Sequence, residues 1–199
     1  MRTLVRIVNE WDAPTMLKLY DHYIPGNTCP DEELPTIAQF VQRIDKYTYG
    51  YGWLLAEIDS ETAGFCYICE NRKDPGNLFG AELNLYVKPT LKRRHVGSAL
   101  MHMMIGIMQA GNKRELYARI PLPNDEAVSF FRSWGFAEVE TEKDAFEKSG
   151  EKYDVLVMHR NIFPEDPSAD RPIKPMIVKL DKPSLFRKIQ IEAGNIITE

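Results

Sequence analysis

The chain has 199 residues, 44% hydrophobic and 27% charged, with 25 Lys and Arg against 29 Asp and Glu for a formal net charge of −4. That length and balance fit one globular domain with an appendage, and the net negative charge argues against a nucleic-acid binder, which needs a broad basic face. No apolar run approaches the roughly 20 residues that span a bilayer, the N-terminus has no apolar leader core, and the expectation is a cytoplasmic protein with no membrane partner.

In chain order, Thr3 to Val8 alternates as a first strand. Asp12 reads as an N-cap and Pro14 as a first-turn residue of a helix carrying Met16, Leu17, Leu19, Tyr20 and Tyr23. A polar loop from Ile24 to Pro35 leads to a second helix with Ile37, Phe40, Val41 and Ile44 at helical spacing. Trp53 to Ile58 and Ala63 to Cys69 form a hairpin about a turn at Asp59 to Thr62. The three cysteines, Cys29, Cys66 and Cys69, have no framework spacing. Cys66 and Cys69 match C-x-x-C on a strand, where residues three apart face opposite sides, so they read as core thiols and not as a metal site.

Asn71 to Gly80 is a loop, and Glu82 to Val87 a strand. Lys92-Arg93-Arg94-His95-Val96-Gly97-Ser98 then leads into an apolar helix from Val96 to about Gln109, in which Gly106 marks close packing against the sheet. A strand feeding a cationic turn and a helix N-terminus suits a phosphate group, because first-turn N–H groups lack intrahelical acceptors. Read alone, the basic run is also an ordinary solvated loop. Leu116 to Ile120 is a strand, Asn124 caps a short helix through Phe131 that Gly135 ends, and Phe136 to Thr141 with Tyr153 to Arg160 form a closing hairpin. Beyond Asn161, Pro164, Pro167, Pro172 and Pro175 punctuate a semi-rigid linker before a short strand, Met176 to Leu180, and a helix, Pro183 to Ala193. Residues 1–162 therefore form the main domain and 163–199 an extension that packs on its own domain or on a second copy in a homodimer.

This order, β-α-α-β-β-β-α-β-α-β-β, resembles the GNAT superfamily of N-acetyltransferases, in the phosphinothricin-acetyltransferase-like branch. Four stretches in order carry the likeness across Thr3 to Ile162: Trp53 to Glu57 with Ala63-Gly64, Glu82 to Pro89, Lys92 to Leu100, and Leu122 to Phe136. The resemblance implies a mixed α/β (α+β) fold with a splayed central sheet flanked by helices. It implies acetyl-CoA as cosubstrate and no metal, with the pantetheine arm bonding to main-chain groups of Leu85, Tyr86 and Val87 as an added strand would. A backbone N–H there would face the thioester oxygen and stabilise the oxyanion. Amides of Arg93 to Ser98 would wrap the pyrophosphate, with charge from Lys92, Arg93 or Arg94 and a contact from Asn124.

Glu82 matches the family's catalytic glutamate. An alkylammonium of pKa about 10 is only about one part in a thousand neutral at pH 7, so a carboxylate that takes its proton is needed. Two positions depart from the pattern: His95 stands where the family has a glycine, and Phe131 where the branch has a histidine or tyrosine that protonates the leaving thiolate. The implied activity is acetyl transfer to the amine of a small molecule, an amino acid or analogue. The alternative is a CoA-binding sensor or interaction module with little turnover. The run Asp31-Glu32-Glu33 reads as a solvated loop, or as an attraction for a cationic acceptor.

Overall fold

In the computed structural model, which describes residues 1–48, 50–163, 172 and 183–198, seven strands form one mixed sheet. Strands β1 (Thr3–Ile7), β2 (Gly52–Ile58), β3 (Glu61–Cys69), β4 (Gly80–Val87), β5 (Glu115–Pro121), β6 (Ala137–Lys148) and β7 (Glu151–Asn161) lie in the order β1-β2-β3-β4-β5-β7-β6. Among the described strands only β4 and β5 run parallel. Helices α1 (Ala13–Tyr20) and α2 (Ile37–Thr48) cover one face; α3 (Val96–Ala110) and α5 (Pro183–Thr198) cover the other, and α4 (Asp125–Ser133) follows β5. The expected order of strands and helices holds throughout residues 1–161, while the expected strand Met176 to Leu180 lies outside the described residues.

The two faces divide the core by strand parity. Val5, Leu54, Cys66, Ala81, Leu83, Leu116 and Met158 turn toward α3, whose buried residues include Val96, Leu100, Met103, Met104, Ile107 and Met108. Trp53, Leu55, Phe65 and Tyr86 turn toward α1 and α2, and the three rings meet those of Tyr20 and Phe40 edge-on. Cys66 and Cys69 do face opposite sides, one toward Leu100 and one toward Glu82, and burial pushes both thiols up, Cys69 to about 12. No helix among the described residues is long and apolar enough to cross a membrane.

Several local expectations change. Asn9, not Asp12, supplies the side-chain cap, accepting from Trp11 N–H at 2.9 Å. The Asp12 carboxylate instead takes both Arg6 Nη atoms at 2.8 and 2.7 Å. The β2–β3 turn shrinks to Asp59 and Ser60, with φ of 49° and 69°, because a two-residue turn with both centres left-handed matches strand twist. The closing hairpin extends to a Ser149-Gly150 turn well past the expected ends, since most of β6 is charged and exposed and so lacks apolar alternation. Gly106 packs against α5 instead of the sheet: a Cβ there would lie 2.9 Å from Ile189 Cδ1. Ile189, Ala193 and Ile197 are buried, so the C-terminal helix seats on α3 and β1 of its own chain.

Candidate active site

The parallel pair β4–β5 makes the site. Pairing joins Gly80, Ala81 and Glu82 to Glu115, Leu116 and Tyr117 and then stops. Past that point the strands diverge into a cleft of about 920 Å³ between Leu83 to Val87 on one wall and Ala118 to Pro121 on the other. Lys88 N–H donates to Ala63 O at 2.8 Å, so the alternation of an antiparallel ladder turns the Val87, Leu85 and Leu83 peptides away from β3 and into the cleft. Such an unpaired strand edge is a template for another extended segment.

At the wide end lies the basic loop. Arg93 and His95 have φ of 60° and 57°, so left-handed residues flank Arg94 and turn the loop into the first turn of α3. Histidine tolerates this region better than most non-glycine residues, which explains how the turn survives without glycine. Lys92, Arg93, His95, Val96, Gly97 and Ser98 line the cleft. At Gly97 a Cβ would sit 3.4 Å from the Phe130 ring, an ordinary van der Waals distance. Lys92 reaches across the mouth to Glu126 Oε2 at 2.6 Å. Arg94 is exposed and lies outside the lining residues. Asn124 lines the cleft and also caps α4, accepting from Ala127 N–H at 3.1 Å. Leu85, Tyr86 and Val87 all line the cleft, with the Tyr86 ring also buried in the aromatic cluster on the α1–α2 face. Phe131 is buried at the cleft wall and has no proton to donate.

Glu82 sits at the apex of the fork, in the last paired position of β4. It is 2% exposed, and its Oε2 has no hydrogen-bond partner among the described residues. Burial raises its carboxyl above the ordinary range, while Arg72 and Arg119 pull against that rise. It is not itself a lining residue of the cleft, lying just beyond Leu83, Asn84 and Arg119, which are.

Other side chains here could not be assigned from sequence. Tyr23, read as part of an apolar helix, places its hydroxyl on the Val87 peptide, accepting from N–H at 3.2 Å and donating to the carbonyl at 2.5 Å. Arg72, Lys73, Arg119, Glu140 and Glu142 meet around Glu82 only because the β3–β4 loop, β5 and β6 converge. The Arg119 bond holds the Glu142 carboxyl down to about 2. In the acidic run Glu32 and Glu33 are exposed, as a solvated loop has them, while Asp31 is turned inward onto the chain's own groups. Asp31 takes both Arg43 Nη atoms at 2.6 Å and the Tyr20 hydroxyl, and Glu32 accepts from Ser149 N–H at 2.8 Å.

A forked sheet with a cationic loop at its mouth is the architecture of an acyl-coenzyme A N-acyltransferase. Residues 5–157 match the acetyltransferase (GNAT) domain family, and the chain belongs to it: an N-acetyltransferase that uses acetyl-CoA. It is 26% identical over 173 residues to the phosphinothricin N-acetyltransferase of Streptomyces viridochromogenes, covering 86% of this chain and 93% of that one. It is also 26% identical to the phosphinothricin N-acetyltransferase of Alcaligenes faecalis, over 78% of this chain and 81% of the relative. The fold matches the crystal structure of a GNAT superfamily phosphinothricin acetyltransferase from Sinorhizobium meliloti in complex with acetyl-CoA, with a TM-score of 0.77, 21% identity, and coverage of 86% and 96%. It likewise matches a ribosomal-protein-alanine N-acetyltransferase from Brucella melitensis, with a TM-score of 0.72, 25% identity, and coverage of 79% and 99%.

Proposed function

We propose that this enzyme acetylates the amine of a small amino acid or analogue, with Glu82 taking the proton of the attacking nitrogen. The observation that carries this is the placement of Glu82: a buried carboxylate with one oxygen unpartnered among the described residues, where the β4–β5 fork closes. The Leu85 and Val87 peptides would bind the pantetheine arm. The Arg93 to Ser98 amides would hold the pyrophosphate, with Lys92, Arg93 or Arg94 adding charge and Asn124 adding a contact. Bound acetyl-CoA supplies an activated acyl group and a thiolate leaving group.

The chain's own contribution is positional and basic. The forked edge fixes the thioester beside Glu82, a free Leu85 N–H faces the carbonyl oxygen as charge develops there, and Glu82 takes a proton directly or through a water. Phe131 leaves the departing thiolate without a protein acid at that position, and a thiol of ordinary acidity leaves without one. The relatives named for phosphinothricin favour an amino-acid-like acceptor.

The test is thiol release from acetyl-CoA in the presence of phosphinothricin, amino acids and polyamines. Release above background with an amino-acid-like amine is expected. Thermal stabilisation by acetyl-CoA with no release across the panel would instead identify a binding module.

A further inference from the structure

We propose that Arg72 is a positioning residue for the base, gripping one oxygen of Glu82 so that the carboxylate is favoured and its other oxygen stays open toward the acceptor. This rests on the reading of Glu82 as the base. Arg72 lies on the loop between β3 and β4, and its Nε stands 3.3 Å from Glu82 Oε1. Its main-chain N–H is directed at the same carboxylate.

The loop is fastened at the next residue. Lys73 pairs with Glu140 and with Glu142 on β6, and its N–H donates at 3.0 Å to Oδ1 of the buried Asn71. Glu142 in turn binds Arg119 of β5, the second cation acting on Glu82. The groups facing Glu82 are therefore Arg72 from the loop, Cys69 from β3, Arg119 and Tyr117 from β5, and Glu142 from β6. Of the two cations, Arg119 is shared with Glu142, whereas among the described residues the Arg72 guanidinium pairs with Glu82 and no other carboxylate.

The physical need is plain. A carboxylate shut away from water holds its proton, and a carboxyl that holds its proton cannot act as a base. An adjacent guanidinium offsets part of that preference. Because the Arg72 side chain is 60% exposed, solvent weakens its pull, and the expected effect lies at the low end for an ion pair, about one pH unit.

The test is a pH titration of the full chain carrying ¹³C at the glutamate carboxyl carbons. The resonance missing from the Glu82→Gln spectrum is assigned to Glu82. Arg72→Gln should move its midpoint up by about one pH unit, with Arg72→Lys recovering part of the shift and Arg119→Gln moving it less. The pH profile of thiol release should move in the same direction in Arg72→Gln. A midpoint unmoved in Arg72→Gln, or a larger movement in Arg119→Gln, would overturn the proposal. Full activity of Glu82→Gln would overturn the base reading, and with it the positioning role, while the titration shift itself would persist; the two failures are thus separable.

Discussion

Replacing a helix-interior glycine by alanine ordinarily stabilises a protein by about 1 kcal/mol, through lower unfolded-chain entropy and better helix propensity. At Gly106 the sign should reverse. A methyl group there would lie 2.9, 3.0 and 3.3 Å from three carbons of Ile189 on α5, a β-branched side chain with few alternative rotamers. Overpacking costs about 1–3 kcal/mol, so Gly106→Ala should destabilise by about 1 kcal/mol net. Ile189→Ala opens a cavity over a backbone with no side chain to fill it, at a cost of about 3 kcal/mol. In the double variant the clash disappears, the propensity gain returns and the new methyl occupies part of the hole. The total loss should be about 2 kcal/mol, against about 4 if the sites were independent, a coupling of about 2 kcal/mol. Urea unfolding followed by tryptophan fluorescence, with buried Trp53 as a reporter, measures this at constant m-value. Coupling under about 0.5 kcal/mol would refute the seating of α5 on α3 and return the C-terminal segment to the status of an appendage.

Glu82→Gln should lower kcat by about 10²–10⁴-fold while leaving acetyl-CoA affinity unchanged, since Glu82 does not line the cleft. Its raised folded-state carboxyl means that the wild type loses stability as pH climbs through the carboxylate range, a loss the glutamine variant should escape in pH-dependent melting. Tyr23→Phe should bind acetyl-CoA about fivefold more tightly by calorimetry, because the arm no longer displaces a hydroxyl from Val87; weaker binding would mean that the hydroxyl itself holds the ligand. Glu142 runs opposite to Glu82. With its folded carboxyl near 2 against an ordinary 4.5, its contribution is complete above about pH 4.5 and fades as pH falls toward 2. Glu142→Gln should therefore be less stable than wild type at neutral pH, with the gap closing over that acid range.

What the sequence disclosed follows from how local each signal is. The strand, basic turn and apolar helix from Glu82 to Gln109 are contiguous, so their order could be read from residue types alone, whereas the left-handed φ at His95 had only the family's glycine at that place to point to it. The C-terminal half of β6, past Thr141, was hidden because that strand is mostly exposed and charged, leaving no alternation to find. The fate of Asp31 and Glu32 depended on Arg43, Tyr20 and Ser149, the last 117 positions away from Glu32. Arg72 and Arg119 reach Glu82 from separate elements, and only the register of β3, β4 and β5 brings them together. Tyr23 fitted the apolar spacing of its helix, and nothing in that spacing signals a hydroxyl aimed at a strand edge.

The most direct examination is an amide-resolved NMR titration of the intact, isotope-labelled enzyme with acetyl-CoA. Saturable shifts should concentrate at the Leu85 amide and across Arg93 to Ser98, while Val5 and Ala56, on strands away from the fork, stay still. Saturable binding that leaves Leu85 and the Arg93 to Ser98 amides unmoved, or no binding at millimolar ligand, would contradict the account.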